Sequence, residues 1–260
     1  MRTASSKKND DIGVALEYFG KTDIGKVRKE NQDDFAIRED TERRLVAAVV
    51  CDGMGGAKAG GLASNLGTKT FMDYLDSHLF NSPLKRPSYS NIISTACAEA
   101  NGIVYQYSCF DSDFNGMGTT LVGALIKKDQ AYIVNVGDSR AYLVGKKAIQ
   151  QITLDHSLVA EMVRRGELTE EQAKNHPRKN IITNALGIEG EIQSDVFHTK
   201  LHKGDRLLLC SDGITNIISD SELLGYSQIY ESAEEFVNHL MKVALDRGAP
   251  DNITAVAVTI

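Results

Sequence analysis

The chain has no apolar run approaching about 18 residues, so no segment is expected to cross a membrane. It also lacks an excess of positive charge. Lys and Arg number 29 against 35 Asp and Glu, a net charge of −6, which argues against a nucleic-acid partner held by bulk electrostatics. Cysteine is scarce: four residues, with no CxxC and no Cys-His cluster. That excludes a zinc site and a disulfide framework, and points to reduced thiols in the cytoplasm. Proline is scarcer for the length, and three of the four, Pro83, Pro87 and Pro177, mark loops. There is no low-complexity linker and no repeat at a period of about 20–50 residues, which rules out a solenoid. Met1 to Asp11 is polar without an apolar core, so a secretory leader is not expected, and residues 1–12 read as a flexible tail.

The remainder, 13–260, has ordinary globular composition, 42% hydrophobic and 25% charged, enough for the core of one large domain. β-rich apolar stretches fall at about 14–20, 34–38, 45–51, 119–126, 131–136, 140–144, 149–153, 192–198, 206–210 and 252–260. Short polar turns such as Lys127-Lys128-Asp129 and Gly145-Lys146-Lys147 separate several of them, the signature of antiparallel meanders. Helical periodicity covers 61–80 and 89–109, with a break between Asn81 and Pro87 that lets the two fold back on each other. Shorter helices are predicted at 157–165, 170–175 and 232–246, with Thr169 and Gln172 forming a capping box for the second of these. Many strands and a few long helices predict packed sheets with helices outside.

The acids are distributed unevenly. Asp52-Gly53 follows the apolar stretch 45–51, and Asp212-Gly213 follows 206–210. Asp138 follows 131–136 after a Gly137 turn, Asp251 precedes the last strand, and Asp33 stands at the start of another. Asp is a common turn residue, so one such position means little. Five at strand ends, two of them in the form apolar strand, Cys, Asp-Gly, suggest one rim. Converging carboxylates repel and require neutralisation, and hard divalent ions with oxygen ligands, Mg2+ or Mn2+, supply it.

Other motifs fail on inspection. Gly53-Met54-Gly55-Gly56 would need Gly at Lys58 to be a dinucleotide loop, and 60–62 reads Gly-Gly-Leu where a Walker A loop needs Gly-Lys-Ser/Thr. Asp111 to Gly116 starts like an EF-hand loop, but Val122 stands where the bidentate acid belongs, so a calcium module is rejected. No Gly-x-Ser-x-Gly elbow, HExxH or Cys-His nucleophile pair is present.

A set of motifs in order remains. Thr22-Asp23-Ile24-Gly25 with Arg28 and Asn31-Gln32-Asp33 is followed by Asp52-Gly53-Met54-Gly55-Gly56, Gly118-Thr119-Thr120 and Val136-Gly137-Asp138-Ser139-Arg140. Asp155-His156-Ser157, His176-Pro177, Asn180, Ala185-Leu186-Gly187, Ser211-Asp212-Gly213 and Asp251-Asn252 complete it. From about residue 14 to 260 the chain resembles the metal-dependent type 2C serine/threonine protein phosphatases, in their bacterial branch. The resemblance implies an α+β fold, a four-layer αββα sandwich of two antiparallel sheets packed face to face. It implies two Mn2+ or Mg2+ ions, with Asp52 bridging them, the Gly53 carbonyl on one, and Asp212 and Asp251 on the other. Asp33 would bind directly or through water. Bacterial relatives often hold a third ion, for which Asp138 with Asp212 would be the ligands.

By the same resemblance Arg28 would grip the phosphate through its planar fork, which Lys cannot match. Arg28, Asp52 and Asp212 are thus the expected catalytic residues, acting on a water activated between the ions. Some relatives carry His directly after the Asp-Gly of the second motif; here that position is Met54. His156 and His176 are read as loop residues bonding backbone, which leaves protonation of the leaving oxygen to an ion-held water. Residues 157–180 correspond to the family's flap, with Arg164, Arg165, Lys174, Arg178 and Lys179 as a basic face. The expectation is a monomeric cytoplasmic enzyme that hydrolyses phosphoserine and phosphothreonine in proteins and so reverses a Ser/Thr kinase. The rivals are a dedicated phosphatase for one small phosphoprotein and a non-catalytic scaffold, which would lack ligand positions that this chain retains.

Overall fold

A computed structural model of the chain describes residues 2–5, 16–55, 59–81, 87–110 and 112–260. The first sheet carries, in spatial order, β1 (Arg2–Ser5), β2 (Glu17–Asp23), β12 (Ile253–Thr259), β11 (Arg206–Cys210), β8 (Arg140–Val144) and β9 (Ile149–Gln151). The second carries β10 (Asp195–Lys200), β7 (Gln130–Val136), β6 (Leu121–Lys127), β4 (Leu45–Met54) and β3 (Asp33–Asp40), with β5 (Gly118–Thr119) on the end of β4. All of these pairings are antiparallel.

The apolar runs are explained by burial on both faces. Along β4, Val46, Ala48 and Val50 point at the other sheet, where they meet Leu207, Leu209, Val256 and Val258. Their neighbours Leu45, Ala47, Val49 and Cys51 point the other way, against α1 (Ala59–Leu75) and α2 (Tyr89–Phe110). A strand with period-two side chains and no wet face reads as a continuous hydrophobic run. On the far side Leu208 and Cys210 of β11 pack with Phe236, Leu240 and Met241 of α7 (Ala233–Asp246). The order helices, sheet, sheet, helices is the expected four-layer αββα sandwich. No helix among the described residues is long and apolar enough to cross a membrane, and all four cysteines are free.

Three local differences from expectation have physical causes. Residues 2–5, read as part of a loose tail, form β1 against β2. Arg2 reaches across to pair with Asp34 at 2.6 Å and to donate to the Phe35 carbonyl. Residues 6–12 of that expected tail lie outside the described residues, as do 82–86 in the expected break, Gly56, Lys58 and Asp111. The helix expected over 61–80 is α-helical to Leu75 and finishes as a π-turn over Asp76–Phe80. A helix that periodicity did not reveal, α6 (Asp220–Ile229), follows the short α5 (Asp212–Thr215). It buries fully only Leu223, so its apolar stripe is too thin to see; its capping box of Ser219 and Glu222 was the legible signal.

Residues 157–180 contain α3 (Leu158–Arg164), capped by Ser157, and α4 (Glu170–Lys174), capped by Thr169 and Gln172 in the expected box. Within the two helices only Val159 is buried. The segment is fastened at its base, where Leu158 N–H donates to the Ile181 carbonyl and Ser157 bridges to Ile182.

Candidate active site

Sheet register brings the first two acids together. In the β3–β4 pair Asp33 stands directly opposite Asp52. The end of β11 delivers Asp212, and the turn before β12 delivers Asp251; these strands are neighbours in the other sheet. The turn after β7 delivers Asp138. Each terminus lies at one end of the sandwich, so residues separated by more than 200 positions meet.

The electrostatics show how close they are. Burial drives the Asp52 carboxyl well above its usual range, and Asp33, Asp212, Asp138 and Asp251 push it further. Burial also raises Asp33, to about 7, against hydrogen bonds from Thr254 and Ser211 that favour its charged form; the Asp212 and Asp251 carboxylates add to the rise. Asp138 is raised to about 7 by burial and then by Asp212 and Asp155. Asp212 is raised by burial and by Asp251, while hydrogen bonds from Asn216 and Asp52 favour its charged form. Asp33, Asp52, Asp138 and Asp212 are thus each raised by burial and by neighbouring carboxylates.

Little positive charge answers them. Arg28 Nη2 donates to Asp251 Oδ2 at 2.7 Å. Arg140, beside Asp138 in sequence, spends its fork on Asp155, with Nε at 2.9 Å and Nη2 at 2.7 Å. Asp33 Oδ2 accepts from Ser211 Oγ at 2.8 Å and from Thr254 Oγ1 at 2.7 Å. Its other oxygen, Oδ1, is buried without a partner. A buried, unanswered acceptor costs about 1–3 kcal/mol, and on a carboxylate beside four others it marks a place for a cation.

These residues fit hard divalent ions. Among the described residues no three His, Cys, Asp or Glu side chains form a ready-made metal cage. A closed all-protein cage is not required, because a hard ion of the Mg2+ type completes its shell with waters. The donor set is all oxygen and anionic, as such an ion demands.

The backbone near the rim is crowded in the way close approach requires. A Cβ on Gly53 would lie 2.0 Å from the Gly60 carbonyl oxygen, and one on Gly213 would lie 1.9 Å from that of Asn252. Only glycine lets β4 cross the start of α1, and the start of α5 cross the 251–252 turn.

The sequence motifs named Asn252, Thr120, Ser139 and Ser211 but not their role in holding the acids, and they left out Thr254. Asn252 accepts the Gln32 N–H at 2.9 Å and donates to the carbonyls of Ile24 at 2.9 Å and Glu30 at 3.0 Å. It therefore ties the Arg28 loop and the approach to Asp33 onto the Asp251 turn. Thr120 Oγ1 accepts the Asp52 N–H at 3.0 Å and contacts Ser139 Oγ at 2.7 Å, linking Asp52 to the Asp138 turn. Ser211, Thr254, Thr120 and Asn252 are buried polar residues next to the acids in sequence or register; polar residues inside otherwise apolar strand ends were the available signal. His176 accepts from Arg178 N–H at 3.2 Å within its own loop, as expected of a loop residue.

Comparison with known proteins agrees with this geometry. The family model described as protein phosphatase 2C matches residues 26–255. The serine/threonine phosphatase stp of Listeria welshimeri is 38% identical over 238 residues, covering 92% of this chain and 93% of its own. The crystal structure of serine/threonine phosphatase Stp1 from Staphylococcus aureus superposes with a TM-score of 0.86 at 35% identity, covering 98% of this chain and 99% of that one. The catalytic domain of the serine threonine protein phosphatase PstP, in complex with two manganese ions, superposes with a TM-score of 0.79 at 33% identity, covering 94% and 98%. The chain belongs to the protein phosphatase 2C family of serine/threonine protein phosphatases.

Proposed function

We propose that the protein hydrolyses phosphoserine and phosphothreonine monoesters in proteins at the five-carboxylate rim, using two Mn2+ or Mg2+ ions. The observation that carries this is the convergence of Asp33, Asp138, Asp212 and Asp251 on Asp52, with Asp33 Oδ1 buried and unanswered. Asp52 is central, since the other four acids all act on it, and we assign it the bridging position. The Gly53 carbonyl would hold one ion, and Asp212 and Asp251 the other, with Asp33 bound directly or through water. Asp138 and Asp212 are assigned to a third ion. Bound there, the ions supply Lewis acidity that lowers the pKa of a water and offsets charge on the phosphoryl oxygens.

The chain's own residues do the rest. Arg28, half exposed at the rim, presents its second guanidinium nitrogen and Nε to an incoming phosphoryl group. Asp52 and Asp212 would hold the ions that activate the attacking water. Ser211 and Thr254 favour the charged form of Asp33 and aim it. His156 has both ring nitrogens engaged, by Gly137 N–H at 3.2 Å and by Asp195 Oδ2 at 3.1 Å. That supports leaving protonation of the departing oxygen to water. Lys174, Arg178 and Lys179 are exposed on the 157–180 flap and form a basic face for an acidic phosphoprotein. A cytoplasmic Ser/Thr kinase and its targets are the partners that this activity requires, and the enzyme works as a monomer.

One experiment tests the reading. Hydrolysis of p-nitrophenyl phosphate and of a phosphothreonine peptide is measured with Mn2+ and with chelator, for wild type and Asp212→Asn. The expected outcome is activity that needs the ion and is nearly abolished in a folded Asp212→Asn protein. Turnover that persists in chelator, or a near-normal Asp212→Asn enzyme, overturns it.

A further inference from the structure

Asp138 sits on a turn that Ser139 ties to Thr120 on its far side, while the Gly137 side has no side chain of its own. Gly137 has φ +102°, and a Cβ there would stand 2.6 Å from the Thr120 side chain, so the position must be glycine. The orientation of the next residue then depends on what bonds the Gly137 peptide groups.

His156 bonds both of them. Its backbone N–H donates to the Gly137 carbonyl at 3.0 Å. Its ring Nδ1 accepts the Gly137 N–H at 3.2 Å, and the Asn184 amide nitrogen lies 3.3 Å from the same atom. Two N–H donors on Nδ1 leave the ring proton on Nε2, which faces Asp195 Oδ2 at 3.1 Å. The His156 carbonyl accepts from Thr183 N–H at 2.9 Å, and the side chain is only 14% exposed. Asn135 Nδ2 adds a second bond to the Gly137 carbonyl at 3.2 Å, but it reaches no group on the 181–184 segment in any bond described.

We infer that His156 is a positioning residue, whose imidazole sets the Gly137–Asp138 turn so that Asp138 faces the rim, and locks that turn to the 181–184 base of the flap and to β10. This rests on the assignment of Asp138 as an ion ligand. The ring acts as an orienting partner behind a ligand: it touches neither substrate nor ion, and it transmits the position of residues 181–184 to one carboxylate out of five. A His that merely filled a loop would not place its one lone pair on the amide preceding that carboxylate.

The test is Mn2+ binding by titration calorimetry, read separately from turnover. Comparison of wild type with Asp138→Asn defines the ion that depends on Asp138. His156→Ala is expected to weaken that ion by about 10–100-fold, the usual cost of removing an orienting partner, and to leave the other ions unchanged. His156→Asn, which puts an oxygen acceptor where Nδ1 stands, is expected to restore most of the affinity. Unchanged affinity in His156→Ala overturns the inference. So does equal weakening of every ion with a lowered melting temperature, which marks a general packing role. If His156→Ala does not fold, Asp195→Ala removes the Nε2 partner from a half-exposed strand position. It should weaken the same ion several-fold, and an unchanged ion there overturns the inference as well. If wild type and Asp138→Asn bind alike, the assignment of Asp138 fails and takes the inference with it. If they differ while His156→Ala matches wild type, the inference alone fails.

Discussion

Asp33 and Asp52 face each other across β3 and β4, and Asp33 turns one oxygen toward two hydroxyls while the other has no partner. On the proposed reading the pair holds a cation, and without one the unanswered Asp33 Oδ1 costs the fold. Asp33→Asn should therefore act in opposite directions on stability and on function. In chelator at pH 7.5 the variant should melt a few degrees higher than wild type, since about 1 kcal/mol moves the midpoint by ~2–4 °C in a chain of this size. Its Mn2+ affinity and turnover should fall at least about tenfold. Scanning fluorimetry and kinetics on the same preparation check both signs.

The raised carboxyls also fix the pH dependence of the ion-free protein. Asp33 and Asp138 titrate near 7 in the folded chain against an ordinary value of 3.8. The folded state therefore holds more protons than the unfolded state between about pH 4 and 7. Their contribution to stability is fully present below about pH 4 and is lost as pH rises to about 7. Midpoints in chelator should decline from pH 5 to pH 7.5, and saturating Mn2+ should raise the midpoint more at pH 7.5 than at pH 5. A chelated protein that gains stability across that interval would contradict the burial of these acids.

Arg28 is exposed, so its replacement should leave the fold alone and strike the reaction. Arg28→Lys keeps the charge but loses the fork. We expect kcat/KM for a phosphothreonine peptide to fall by about 10–100-fold, with the chelated melting temperature unchanged. Steady-state kinetics beside thermal melts separate the two effects.

Asn252→Ala should behave differently, because its amide bonds three backbone groups on the 24–32 segment. Orphaning them costs about 2–4 kcal/mol in total, and the Arg28 loop loses its tie to Asp251. Urea unfolding should show the destabilisation, and activity should fall beyond what the unfolded fraction explains.

Much of the architecture was legible because two physical signals were strong. Strands such as 45–51 and 206–210 are buried on both faces, and no other element of that length gives such unbroken apolar runs. The Thr169–Gln172 box fixed the start of α4. What escaped lacked such signals. The α6 helix has one fully buried residue, and β1 pairs through backbone bonds that carry no side-chain pattern. The acids of the site were visible at strand ends, two of them as Asp-Gly, whereas the roles of Asn252, Thr120 and Thr254 depended on partners from distant strands.

By itself, then, the order of residues determined which strands are buried on two faces, which glycines close the turns, and which acids end those strands. These are local properties, set by hydrophobic periodicity and by backbone conformations that only glycine adopts readily. The tertiary structure alone decided that Asp33 meets Asp52 while one of its oxygens stays unanswered, that Arg28 rests on Asp251, and that His156 grips Gly137. Those depend on strand register and on how two sheets and two loops pack, and a shift of one residue in the β3–β4 register would take Asp33 away from Asp52.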